Sequence, residues 1–99
     1  MSEIIDLLKA LGDQRRLEII ELLLQKRFCV RALAKRVGIS ESAVSQQLKI
    51  LREAGLVLGE KEGYYVHYSV KRERLKEAAE YLNQLSQKKT INKCKKGRN

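Results

Sequence analysis

Two short apolar stripes separated only by Gly38-Ile39-Ser40 constrain this chain more than any other feature. Before the break, residues 30–37 carry apolar side chains at helical spacing. After it, Val44, Leu48 and Leu51 fall within about 40° of one another when each residue advances the helix by ~100°. So short a connection leaves no room for a wandering loop. One helix must stop, the chain must turn sharply, and a second helix must start. Gly38 can close the first, because glycine takes positive φ at little cost. Ser40 can cap the second, its hydroxyl accepting from a free amide of the next turn. Ala34, Gly38 and Val44 then supply a small residue where the helices cross, a turn glycine and an apolar anchor. That is the spacing of a helix-turn-helix.

The second helix, residues 40–54, has an unusual outer face. Ser42, Ser45, Gln46, Lys49 and Arg52 spread over the side opposite the apolar stripe. Serine and glutamine can discriminate base edges by hydrogen bonding, and Lys49 and Arg52 suit phosphates. Any amphipathic helix turns a polar face to water. Here the scarcity of acids on that face is the distinguishing sign. Only Glu53 lies squarely on it, and Glu41 sits at its edge in the first turn, where it complements the helix dipole.

The rest of the chain reads as support. Ile4, Ile5, Leu8 and Leu11 mark a first helix that stops near Gly12. Asp13 caps a second helix with Leu17, Ile20, Leu23 and Leu24 as its stripe, ending near Gln25–Phe28. After Gly55 the period falls to two. "LVLGE" and "YYVHYSV" flank "KEG", which predicts a β-hairpin with the glycine last in its turn. Tyr64, Val66, Tyr68 and Val70 form one face of the second strand, and His67 lies on the other, solvent-facing one. Leu75, Ala78, Ala79, Leu82 and Leu85 mark a fifth helix. The expected fold is mainly α with a small β-hairpin wing: a winged helix-turn-helix over residues 1–87, followed by a flexible basic tail over 88–99.

Charge and composition narrow the function. The net charge is +9, and six of the 21 basic residues fall in "KKTINKCKKGRN", leaving 15 against 12 acids in the first 87 residues. A polyanionic partner follows, nucleic acid before an acidic membrane or protein, and the helix-turn-helix makes double-stranded DNA the expected one. One histidine, no clustered acids and no glycine-rich phosphate loop leave no catalytic constellation, so an enzyme is not expected. Glu3 and Asp6 stand where a secretory leader would be basic, and no apolar run is long enough to span a membrane. Two cysteines 65 positions apart make no disulfide scaffold. A cytoplasmic protein without membrane partners is the expectation. At 99 residues the core is small, and pairing with a second copy would enlarge it.

"LGDQRRLEIIELL" (11–23), "ALAKRVGISESAVSQQLKILREAGLV" (32–57) and the hairpin ending "YYVHYSV" together resemble the ArsR family of small winged-helix repressors, which respond to metals, metalloids or redox signals. The resemblance reaches to about Leu85. It implies a homodimer joined through the first and fifth helices, hence through Ile4, Ile5, Leu8, Leu75, Ala78, Leu82 and Leu85. It places base reading at Ser42, Ser45 and Gln46, with Ser40, Lys49 and Arg52 as phosphate contacts. Gln47 stands where many members carry histidine and is assigned no base. The wing departs from the family pattern of arginines beside the hairpin glycine. Lys61 is its one cation, although Tyr64 or Tyr65 could reach the backbone.

The sensing sites of the family are incomplete here. In "FCVRAL", Cys29 matches one ligand position of a C-x-C metal site at the start of the third helix, and Arg31 occupies the other. The fifth helix has no histidine for a zinc site. Cys29 and Cys94 remain. Cys94 lies among Lys93, Lys95 and Lys96, which favour its thiolate. Cys29 reads either as a small buried hydrophobe or as a partner of Cys94 in a thiol switch or a site for a thiophilic metal or As(III). No cofactor is required by the sequence. The alternative function is a non-sensing winged-helix DNA-binding protein whose tail adds sequence-independent affinity.

Overall fold

The computed structural model describes residues 2–91. The elements run α1 (Ser2–Leu11), α2 (Gln14–Gln25), α3 (Val30–Val37), α4 (Glu41–Glu53), β1 (Val57–Glu62), β2 (Tyr65–Val70) and α5 (Arg72–Ser86). This is the expected order of a winged helix-turn-helix. Among the described residues no helix is long and apolar enough to cross a membrane. Cys94 and most of the basic tail lie outside the described residues.

Every element gives side chains to one core. Leu7, Ile19, Leu33, Val44, Leu48, Leu51 and Leu56 are its most enclosed members. Burying each leucine or isoleucine contributes about 1.5–3 kcal/mol, so these positions carry much of the stability. The core corrects the sequence stripes in two places. Leu7 is fully buried, whereas Ile4, Leu8 and Leu11 pack on the core's flank and Ile5 faces out. In α2, Ile19 is fully buried and Leu17 is 43% exposed. Both shifts have one cause. A helix packed on several neighbours buries a face set by all of them, not the stripe that best fits one.

The α5 stripe divides. Ala78 is buried inside its own protomer and Leu75 packs against the core, while Leu82 and Leu85 are 51% and 45% exposed. Ala78 is therefore not free to meet a partner, which corrects its assignment as a dimer contact. Its small side chain lets α5 sit close to the core, and the later leucines run beyond that contact.

β1 and β2 pair antiparallel from Val57↔Val70 to Glu62↔Tyr65. The turn is thus Gly63-Tyr64, not the "KEG" expected, and Lys61 and Glu62 belong to the strand. Gly63 has φ 66° and Tyr64 no positive φ, the pattern of a type II′ turn with glycine at its first central position. Burial along β2 is graded rather than alternating. The ribbon projects from the body, so its tip is wet on both faces and its base is half-buried on both. Phe28 anchors that base, exchanging backbone hydrogen bonds with Tyr68 at 3.4 and 2.9 Å.

Candidate nucleic-acid interface

The turn between α3 and α4 is built as its residues dictate. Gly38 ends α3 with φ 82°, donating its N–H to Ala34 O at 2.8 Å. A Cβ there would meet nothing within 4 Å, so it is the left-handed backbone and not crowding that calls for glycine. Ser40 caps α4, its Oγ accepting from Ala43 N at 3.0 Å. The hydroxyl proton of Ser40 remains available to donate outward; Ser42 Oγ lies 3.4 Å away.

With Val44, Leu48 and Leu51 buried, α4 presents Ser42, Ser45, Gln46, Lys49 and Arg52 together on its exposed side. With Ser40, these are six candidate DNA contacts, all at exposed positions of the motif. Ile50, 41% exposed, borders a cleft between α4 and α1. Gln47 is turned aside from the exposed side of α4. Its Oε1 accepts from Arg16 Nη1 at 2.9 Å.

Lys61 stands apart on the wing, exposed. Side chains alternate along a strand, so Glu60 and Glu62 share the opposite face. Arg27, from the connection between α2 and α3, pairs with both carboxylates, at 3.3 Å from Glu60 Oε1. The wing's two acids thereby share one cation that the local sequence does not reveal. Tyr64 at the tip is 98% exposed and Tyr65 is 50% exposed. His67 is not the simple surface residue expected. It is half-buried, and its Nδ1 is shut off from solvent 3.2 Å from Glu62 Oε1, out of line for a hydrogen bond.

Cys29 occupies the N-cap position of α3 without making a side-chain cap, and it is half-buried. It lines a concavity of about 390 Å³ together with Arg31, Glu41, Tyr64 and Tyr65. Phe28 beside it is buried, with Lys26 Nζ and Arg36 Cζ 5.3 and 5.4 Å from its ring centroid. Among the described residues no group of three or more His, Cys, Asp or Glu side chains is arranged to hold a metal ion.

A sharp turn feeding a polar, cation-edged helix, followed by a two-stranded wing, is the geometry of a major-groove reader. The model of the arsR family of bacterial regulatory proteins matches residues 13–58. The transcriptional activator HlyU of Vibrio cholerae is 40% identical over 79 residues, which cover 80% of this chain and 73% of HlyU. The chain belongs to the ArsR family. It is a winged-helix, DNA-binding transcription regulator, of a family whose members pair as homodimers rather than act as enzymes.

Other ArsR relatives agree. The arsenical resistance operon repressor of Escherichia coli is 42% identical over 65 residues, 65% of this chain and 56% of that one. The chain therefore spans little more than half of some relatives' length. Reduced HlyU from Vibrio cholerae superposes with a TM-score of 0.71 at 37% identity, covering 88% of this chain and 92% of that one. The homodimeric winged helix-turn-helix DNA-binding domain (fragment 1-100) of Mb0332 from Mycobacterium bovis gives a TM-score of 0.73 at 28% identity, covering 86% and 80%.

Proposed function

We propose that this ArsR-family chain is a dimeric repressor that inserts α4 into the major groove of its operator. The observation that carries the reading is the division of α4. Three apolar side chains are buried, while Ser42, Ser45, Gln46, Lys49 and Arg52 stand exposed on the other side. Ser45 and Gln46 read bases; Ser40, Lys49 and Arg52 hold phosphates; Lys61 adds a cation from the wing. Ile5, Leu82 and Leu85 form the dimer face, flanked by Ile4, Leu8 and Leu75. Two recognition helices then meet successive major grooves about 34 Å apart. Relatives bear the names of both repressors and an activator. Repression is the simpler mode, because it needs only occupancy of the operator.

Release by thiol chemistry is the regulatory part of the proposal. Half-buried Cys29 opens on a concavity between α3 and the wing. A bond from it to Cys94, or a soft metal or As(III) held by sulfurs of both protomers, would tie the tail to the reading head. A disulfide requires the two Cα atoms within about 7 Å. The test is a DNA-binding titration repeated with As(III), Zn(II), Cd(II) and an oxidant, on the native protein and on the Cys29→Ser, Cys94→Ser double variant. Release from the native protein alone supports the cysteines as sensor; equal release from both removes them.

A further inference from the structure

Arg16 has an environment that DNA reading by α4 does not require. Its backbone N–H donates to Asp13 Oδ2 at 3.1 Å, fixing the first turn of α2. Its guanidinium then reaches in two directions. Nε and Nη2 donate to Ala10 O at 2.6 Å and Lys9 O at 3.3 Å, carbonyls of the last turn of α1, of which Lys9 O also accepts from Gly12 N at 3.1 Å. Nη1 donates to Gln47 Oε1 at 2.9 Å, on the flank of α4.

Beside this contact the two helices stand apart. A cleft of about 330 Å³, lined by Asp6, Lys9 and Ala10 of α1, by Arg16, and by Ile50 and Glu53 of α4, opens between them. Across this cleft the guanidinium of Arg16 links the end of α1 to the flank of α4 by hydrogen bonds. A guanidinium is planar, permanently charged and fixed in its donor geometry, so it holds a separation that a flexible side chain would not.

We infer that Arg16 and Gln47 form a strut that carries the position of α1 to the recognition helix, and so sets which spacing of DNA half-sites the dimer accepts. The inference rests on the reading that α1 lies at the dimer face and α4 in the major groove. Under that reading a small pivot of α4 about its buried stripe leaves the fold intact. It moves the two reading faces away from the separation that two successive grooves demand. Arg16 is then a positioning residue that touches no DNA.

The experiment uses the tightest duplex selected from a randomised pool by the native dimer, and two further duplexes with one base pair added or removed between the half-sites. Arg16→Lys, Gln47→Met and the double variant are compared with the native protein, each first shown folded by circular dichroism and dimeric by sedimentation. The native dimer is expected to discriminate against both altered spacings. Each single variant should lose about fivefold or more of that discrimination, the lower end of ordinary coupling between sites. The double variant should lose no more than either single one, because the two residues act as a unit. Unchanged discrimination in folded, dimeric variants overturns the inference, as do losses that add. It is also overturned if Gln47→Met changes preference at one base while Arg16→Lys does not, which would make Gln47 a direct reader. Should Arg16→Lys fail to fold, Gln47→Met decides by the same criterion. Failure of the underlying dimer reading shows separately, as a Leu82→Glu protein that stays dimeric.

Discussion

Leu82 offers a sharp test because the protomer does not need it. The side chain is 51% exposed on α5, one turn beyond buried Ala78. Full burial of a leucine is worth about 1.5–3 kcal/mol, so covering its remaining half at a dimer face is worth about 1 kcal/mol. A two-fold axis places the same residue in the interface twice. Leu82→Ala should then weaken dimerisation by about 2 kcal/mol, roughly 30-fold in the dissociation constant. Leu82→Glu should do far more, since two carboxylates would have to be desolvated against apolar surface without partners. Sedimentation equilibrium reads both effects. Circular dichroism should show a folded monomer. Operator affinity should fall as well, because a single α4 meets a single half-site. Ala78 is the internal control: Ala78→Glu puts a charge into the protomer's own core and should unfold the chain rather than dissociate it. A Leu82→Glu protein that sediments as a dimer would refute the argument, and so would an Ala78→Glu protein that is folded and monomeric.

Gln46→Ala should cost about 1–3 kcal/mol on the best operator and relax specificity at one position, measured by titration against single-base variants. An equal loss on random DNA would remove Gln46 from base reading. Lys49→Ala should instead lower affinity for all duplexes and reduce the slope of log affinity against log salt by about one unit. Gly38→Ala should destabilise the fold by about 1–2 kcal/mol through its left-handed φ alone, seen in thermal unfolding as a lower Tm. Truncation after Gln87 should weaken binding to every duplex alike and flatten the salt dependence, since six cations and no acid are removed. Unchanged affinity would show that the segment touches no phosphate.

The sequence discloses the reading head because that part is local. The cap at Ser40, the left-handed glycine at Gly38 and the buried triad of α4 all follow from residues a few positions apart, whose conformational preferences are set before any tertiary contact forms. Hidden features arise where several elements meet. The stripes of α1 and α2 miss Leu7 and Ile19, because a helix with neighbours on more than one side buries more than one stripe. The stripe of α5 is read correctly as apolar but not as divided between Ala78, used at home, and Leu82 and Leu85, left over. The hairpin turn is expected at "KEG" and found at Gly63-Tyr64, because the register of six cross-strand pairs runs on through Lys61 and Glu62.

The same distinction separates the candidate site from its supports. Arg27 meets Glu60 and Glu62 across 33 and 35 positions, and Arg16 meets Gln47 across 31. No periodicity marks such pairs, since arginine within a polar helix or loop reads as a solvated charge. Their consequences are nonetheless functional. Without Arg27, two carboxylates on a projecting wing would face the polyanion that the rest of the surface is built to attract, an electrostatic conflict felt along the groove. With Arg27 beside them, the two acids share one cation on their face of the strand, and Lys61 stands on the other. The wing is therefore less repulsive to a polyanion than its own sequence, taken alone, implies. The charge that matters to a ligand is that of the folded surface, and here one arginine from a distant connection brings the group of Glu60, Lys61 and Glu62 from a net negative charge to neutrality.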